Sequence, residues 1–313
     1  MATMIGESVA DGAGAPTALK SLTHRSDAAG IAQLAVHVAA LVVTGYLVSI
    51  SIGTYWLPLA LLVHGFVLIF LFAPLHESIH RTAFHRRWIN TVVGWCCGVV
   101  LILPPDYFRA FHFSHHRYTQ DPDRDPEIAV AKPSNWRTYL WTVSGIPYWR
   151  ERTRTVWRHA MGRVSMPFIS PAARPRIVRE ARILLGVYAL AAVGAVIAES
   201  AAPIYYWVLP ALLGQPFLRM YLLAEHTGCP LVADMRVNSR TTLSNWLIRR
   251  LAWNMPYHTA HHVYPGVPFH ALPKLHRQIR DEVQYEAKGY IAVQRELTSK
   301  FPRPRRGRGA GAG

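Results

Sequence analysis

Two stretches of twenty residues without a single formal charge, "IAQLAVHVAALVVTGYLVSI" (31–50) and "WLPLALLVHGFVLIFLFAPL" (56–75), most constrain how this chain can fold. A helix rises about 1.5 Å per residue, so either stretch can cross a hydrocarbon layer of roughly 30 Å. A second apolar pair, 183–198 and 203–218, follows, its second member extending past Arg219 to Leu223. Runs of this length are hard to place inside a water-soluble domain. The expected fold class is therefore all-α: an integral membrane protein with about four transmembrane helices in two hairpins. The spans are placed at about 31–52, 56–75, 181–199 and 203–223. The first run begins after thirty residues and is too long for the apolar core of a cleavable signal peptide.

Charge gives the orientation. The formal net charge is +16, and 13 Lys and Arg fall within 105–180, with more in the tail "FPRPRRGRGAGAG". The connections near 51–55 and 199–202 carry none. Basic residues collect on the cytoplasmic side of membrane proteins, so 76–180, the C-terminal part and both termini are expected there. Some of this charge is available to anionic membrane lipids. No aromatic or Gly-rich motif supports a nucleic-acid role. Residues 1–29 are small, polar and Gly/Ala-rich, and 291–313 form a basic tail; both are expected to be disordered. Cys96, Cys97 and Cys229 show no CxxC spacing and read as buried, inert thiols.

Against this apolar background the 16 histidines are unevenly spread. Three clusters stand out: "HESIH" (76–80), "HFSHH" (112–116) and "HTAHH" (258–262). Spacings of three and four place side chains on one helix face, so these imidazoles can converge on a metal. Each apolar hairpin also ends at a histidine, the first at His76 and His80, the second at His226. For 112–116 to share their side, the apolar stretch 91–105 must not cross, and it is expected to be re-entrant or interfacial. Eight clustered histidines plus His226 exceed one coordination sphere, which implies two ions. "HESIH" puts Glu77 next to His76, as the HExxH of zinc proteases does, but it lacks the metalloprotease context and has other histidine clusters to join. A nitrogen-rich site facing hydrocarbon points to iron and dioxygen. His24, His37, His64, His85 and His159 are isolated and read as structural or exposed; His270 and His276 read as supporting or structural.

At these clusters the chain resembles the membrane fatty acid desaturase family, a superfamily of three-histidine-box, non-haem di-iron desaturases and hydroxylases. The resemblance spans roughly 35–280 and is tightest at "HESIHRTAFH", "HFSHHRYTQDPDRDPE" and "NMPYHTAHHVYPGVPFHALPKLH". It implies a desaturase-like domain over 30–290 with a cytoplasmic helical cap holding two Fe ions, O2 being the co-substrate. The implied ligands are His76, His80, His112, His115, His116, His258, His261 and His262. His226 matches a further ligand position, and Asn254 a residue holding water beside the metal. Asp121 and Asp125 either cap a solvated loop or accept ring N–H bonds that orient the ligands. No catalytic side chain beyond the metal centre is implied. The implied reaction is fatty acid desaturation of an acyl or lipid substrate, with electrons from a separate ferredoxin or cytochrome b5-like donor, since no haem-binding HPGG stretch occurs. Hydroxylation or ketolation of an acyl, alkane or carotenoid substrate is the alternative on the same scaffold, and a non-enzymatic metal-binding protein or transporter the rival from another class. Glu77 stands where many relatives have Asp, and His258 where front-end desaturases have Gln.

Overall fold

The computed structural model describes residues 15–302. The parts of the two expected disordered segments at 1–14 and 303–313 lie outside the described residues.

Helix α1 (Ala15–Leu22) precedes α2 (Asp27–Ser51), whose start is set by Ser26: its side chain accepts from the Ala29 amide. The chain turns at Gly53, φ +79°, and re-enters as α3 (Leu57–Ile69) and α4 (Phe72–His80). Arg81 stops α4 in the left-handed conformation, its amide returning to the Glu77 and Ser78 carbonyls. Next come α5 (Arg87–Leu101) and α6 (Pro105–Tyr118), bent 94° from each other. The bend has three local causes. Ile102 is left-handed (φ +52°), Pro104 and Pro105 offer no amide to continue α5, and Gly98 lets the Leu103 carbonyl fold against it. A Cβ at Gly98 would stand 2.7 Å from that oxygen. Buried Glu180 then fixes the start of α6 by accepting from the Asp106 (2.8 Å) and Tyr107 (3.1 Å) amides.

Helices α7 (Trp136–Val143) and α8 (Ile146–Ala160) lead to α9 (Arg174–Ile197). A π-helical turn, Ile204–Val208, runs into α10 (Leu209–His226). The remainder is made of short pieces: α11 (Met235–Asn238), β1 (Arg240–Leu243), α12 (Trp246–Leu251), α13 (His258–Val263), α14 (Leu272–Ile279), β2 (Tyr285–Lys288) and α15 (Tyr290–Ser299). The main core joins the ends of α3 to α6 to the α12–α14 region, with Ile69, Leu75, Phe84, Trp253 and Leu272 fully buried.

The chain is a helical membrane-type protein. Among the described residues three helices are long and apolar enough to cross a membrane: Asp27–Ser51, Leu57–His80 and Pro171–Ile197. The bent α5–α6 pair makes a fourth if counted as one span. Residues 203–223, placed from sequence as the fourth span, differ. They begin in the π-turn, contain Pro216, Gln215 and Arg219, and are not among the three. Helix α10 lies against α3, where Gly65 and Gly214 meet backbone to backbone.

Three further features depart from the sequence reading. β1 and β2 form a short parallel pair in an otherwise helical chain. Within 1–29, α1 forms and Leu22 joins the main core. Within 291–313, α15 packs Val293 and Leu297 beside Leu223, and Gln294 donates to the Met220 carbonyl. In the last two cases a few apolar side chains find a tertiary partner that local composition does not reveal, whereas the strands are joined by their backbones.

Candidate metal centre

The four elements that carry the clustered histidines meet at one buried place. Helix α4 brings His76 and His80, α6 brings His112, His115 and His116, and α13 brings His258, His261 and His262. His226 arrives at the last residue of α10. The α5–α6 bend does the essential positioning: it turns the second cluster back onto the first, so the His76 and His112 rings stand 4.4 Å apart.

The imidazoles sort into two groups. In the first, one nitrogen each of His76, His80, His112, His116 and His261 lies within 4.8 Å of all the others. In the second the same holds for His115, His226 and His262. His258 joins the second group through its Nε2, 2.9 Å from His226 Nε2. All nine residues predicted from sequence are therefore brought together.

Outer contacts decide which nitrogen faces inward in the second group. Asp125 can only accept, so His115 Nδ1, 3.0 Å from its Oδ1, carries the proton. His226 Nδ1 likewise donates to the Asn238 carbonyl at 3.0 Å. The Thr119 hydroxyl already gives its proton to the His115 carbonyl, so it accepts from His262 Nδ1 at 3.3 Å. Three Nε2 lone pairs are thereby aimed at one spot, and those of His115 and His226 stand 3.2 Å apart. Two lone pairs cannot hydrogen-bond each other; they can share a cation. In the first group His116 Nε2 faces His112 Nε2 at 2.9 Å and His261 Nε2 at 3.0 Å, while the buried His80 Nε2 has no hydrogen-bond partner. Burial, then repulsion from neighbouring imidazoles, holds His258, His261 and His262 well below the usual histidine range. They are neutral at pH 7, with lone pairs available. The donor set fits two transition-metal ions of the class that imidazole favours.

The supporting residues anticipated from sequence part company here. Asp125 is buried and braced by the Gln120 and Glu127 amides, and it orients His115. Asp121 reaches no histidine: it pairs with Arg124 and accepts from the Asp123 and Arg124 amides. Asn254, left-handed at φ +58°, donates to the Phe269 carbonyl and organises the loop before α13. His276 contacts Glu286 at 3.3 Å and packs at a tilt beside Tyr257, outside both groups. His37 and His64 serve helix packing, bonding the Val67 and Tyr206 carbonyls. Other contacts were not legible in advance. Glu225 Oε1 lies 3.3 Å from His258 Nδ1, and buried Glu77 accepts from Thr82 and the Phe269 amide, tying the first cluster to the segment after the third. Only its position next to His226 marked Glu225; the Asn238 carbonyl carried no signal at all.

Asp125→Asn is expected to weaken metal retention about 10- to 100-fold, the usual effect of losing an orienting carboxylate. Competition against a chelator measures it. Asp121→Asn, which breaks only the loop pair with Arg124, is expected to leave retention unchanged; equal losses in both variants would assign the effect to the loop.

Apolar helices of spanning length, joined to a cluster of nine imidazoles on four elements, define a membrane-type protein with a candidate metal centre. A model of the fatty acid desaturase family matches residues 26–294, and the chain belongs to that family. It is similar to the sn-1 oleoyl-lipid 12-desaturase of Synechocystis sp., 22% identical over 259 residues that cover 77% of this chain and 73% of that protein. It is 26% identical to the dihydrorhizobitoxine desaturase of Bradyrhizobium elkanii over 264 residues, 77% of this chain and 71% of that one. A shorter stretch of 117 residues, 32% of this chain and 33% of the relative, is 29% identical to the sn-1 oleoyl-lipid 12-desaturase of Anabaena variabilis.

Proposed function

We propose that this protein desaturates a fatty acyl chain of a lipid, using dioxygen and two externally supplied electrons. The observation that carries the reading is the convergence of nine imidazoles in two groups at the ends of apolar helices. The names of two relatives, which act on oleoyl-lipids, support the substrate class. Two irons held by these histidines would supply O2 activation: –CH2–CH2–, O2, two electrons and two protons give –CH=CH– and two waters. His76, His80, His112, His116 and His261 would hold one ion, and His115, His226, His258 and His262 the other. The chain's own part is to keep these nitrogens neutral, fixed and away from bulk water, and to hold one methylene pair beside them. No side chain needs to serve as a general base.

The histidines and both ends of the chain are assigned to the cytoplasmic side, on the Lys and Arg distribution. A separate, acidic electron donor is assigned to the same basic face, and salt is expected to slow its reaction. Residues 30–290 form the catalytic unit in this reading, with 91–105 re-entrant. The 94° bend and the placement of His112 beside His76 support that path.

The test is lipid profiling of cells expressing the wild-type chain or His261→Ala. A species two mass units lighter than an acyl precursor, absent from the variant, is the expected result. A product sixteen units heavier would replace desaturation by hydroxylation. Identical profiles together with an iron-free purified protein would remove the oxidase reading.

A further inference from the structure

Beside the second histidine group stands a carboxylate that neither the histidine spacing nor the metal grouping includes. We propose that Glu127 is an oxygen ligand of the ion held by His115, His226, His258 and His262, so that this site is not made of imidazole alone. The proposal rests on the reading that this group binds a metal.

The loop after α6 folds back so that two carboxylates flank one imidazole. Asp125 takes His115 Nδ1 on the outer side, and Glu127 Oε2 faces His115 Nε2 at 3.4 Å on the inner side. With Nδ1 taken by Asp125, Nε2 and Glu127 Oε2 are turned into the same space as His226 Nε2, where one cation can be shared. The distances suit one shared ion. Two donors each about 2.1 Å from a metal stand about 3.0 Å apart at a right angle and about 3.4 Å apart at the tetrahedral angle. The inner contacts are 2.9 Å (His258 to His226), 3.2 Å (His226 to His115) and 3.4 Å (His115 to Glu127). Lys132 holds the other carboxylate oxygen, Nζ to Oε1 at 2.9 Å, leaving Oε2 directed inward. A cavity of about 340 Å³, lined in part by Gln120, Ile128, Lys132 and His226, lies beside these residues. The first group has no counterpart: a fifth imidazole, not a carboxylate, completes its donors. One ion would therefore have five nitrogens and the other four nitrogens and an oxygen. Such a difference makes the two ions distinguishable in affinity and in spectrum.

The test is a Co2+ titration of the purified, detergent-solubilised full chain, following visible d–d absorption and counting bound metal. Wild type is expected to bind two ions. Glu127→Ala is expected to weaken the second ion at least about 10-fold and to alter its absorption as coordination falls by one. Glu127→Gln, of equal size, is expected to behave similarly and carries the test should the alanine variant not fold. Glu127→Asp is expected to fall between, and Lys132→Ala to keep both ions with a smaller change. If Glu127→Ala and Glu127→Gln both hold two ions with unchanged affinity and absorption, Glu127 merely partners a protonated His115 and the proposal is overturned. A wild-type chain that binds fewer than two ions would overturn the two-metal reading beneath it as well.

Discussion

His226→Ala is expected to leave about one iron per chain instead of two and to lower product formation by more than about 100-fold. The size follows from where the imidazole stands. It comes from α10, on an element separate from the three clusters, and its Nε2 lies between His115 at 3.2 Å and His258 at 2.9 Å. The Asn238 carbonyl fixes its tautomer and so the direction of its Nε2. Loss of an orienting partner alone costs about 10- to 100-fold in metal affinity or activity, and loss of the ligand exceeds that. Iron analysis of the purified variant, with the lipid profile of the cells, gives both readouts. Two irons and normal product would remove His226 from the ligand set.

Gly214→Ala is expected to cost more than about 3 kcal/mol and to abolish accumulation of folded protein. A Cβ there would stand 2.1 Å from the Gly65 carbonyl oxygen and 2.6 Å from its carbon. Gly65→Ala meets the mirror obstacle, the Pro210 carbonyl oxygen at 2.2 Å. Both obstacles are backbone, which cannot rotate aside as a side chain can, so α3 and α10 would have to part. Those helices end at His80, through α4, and at His226, so separating them also pulls the two histidine groups apart. Thermal unfolding in detergent measures the loss. Gly194→Ala, with nothing within 4 Å of its added carbon, is the comparison and is expected to be neutral or slightly stabilising through helix propensity. A Gly214→Ala protein as stable as the Gly194→Ala protein would show that the close crossing is not required.

The histidine clusters were legible because their information is local. Spacings of three and four put His112, His115 and His116 on one face whatever surrounds the helix, and the apolar hairpins announced that His76, His80 and His226 leave from matching ends. What the sequence could not supply was anything set by contact across the chain. Asp121 and Asp125 look alike in "QDPDRDPE", yet the turn after α6 sends one to Arg124 and the other to His115. Glu127 shares that string, and only the folded loop shows its carboxylate meeting the inner nitrogen. For residues 203–223, apolar composition does not say how much of the surface meets lipid and how much meets α3. Gly65 and Gly214, 149 positions apart, carry no mark of their meeting until both helices are placed. The helix at 290–299 was missed for a similar reason: only the folded chain shows that Val293 and Leu297 are received by Leu223 while Ile291 stays exposed.

The short parallel pair of β1 and β2 has a consequence in time as well as in space. β1 sits between the Asn238 carbonyl that holds His226 and the third histidine cluster. It is tied to both: Arg240 donates to the Ala224 and Thr227 carbonyls at the end of α10, and the Thr242 amide donates to Pro256. Its other edge is closed by Tyr285–Lys288, which the ribosome adds twenty-three residues after His262. A nascent chain that has displayed every histidine therefore still has an open strand edge beside the site, and open edges invite wrong partners. The strand beside the histidine site is closed only by residues that belong to none of the histidine clusters, which makes this edge a point where folding can go astray.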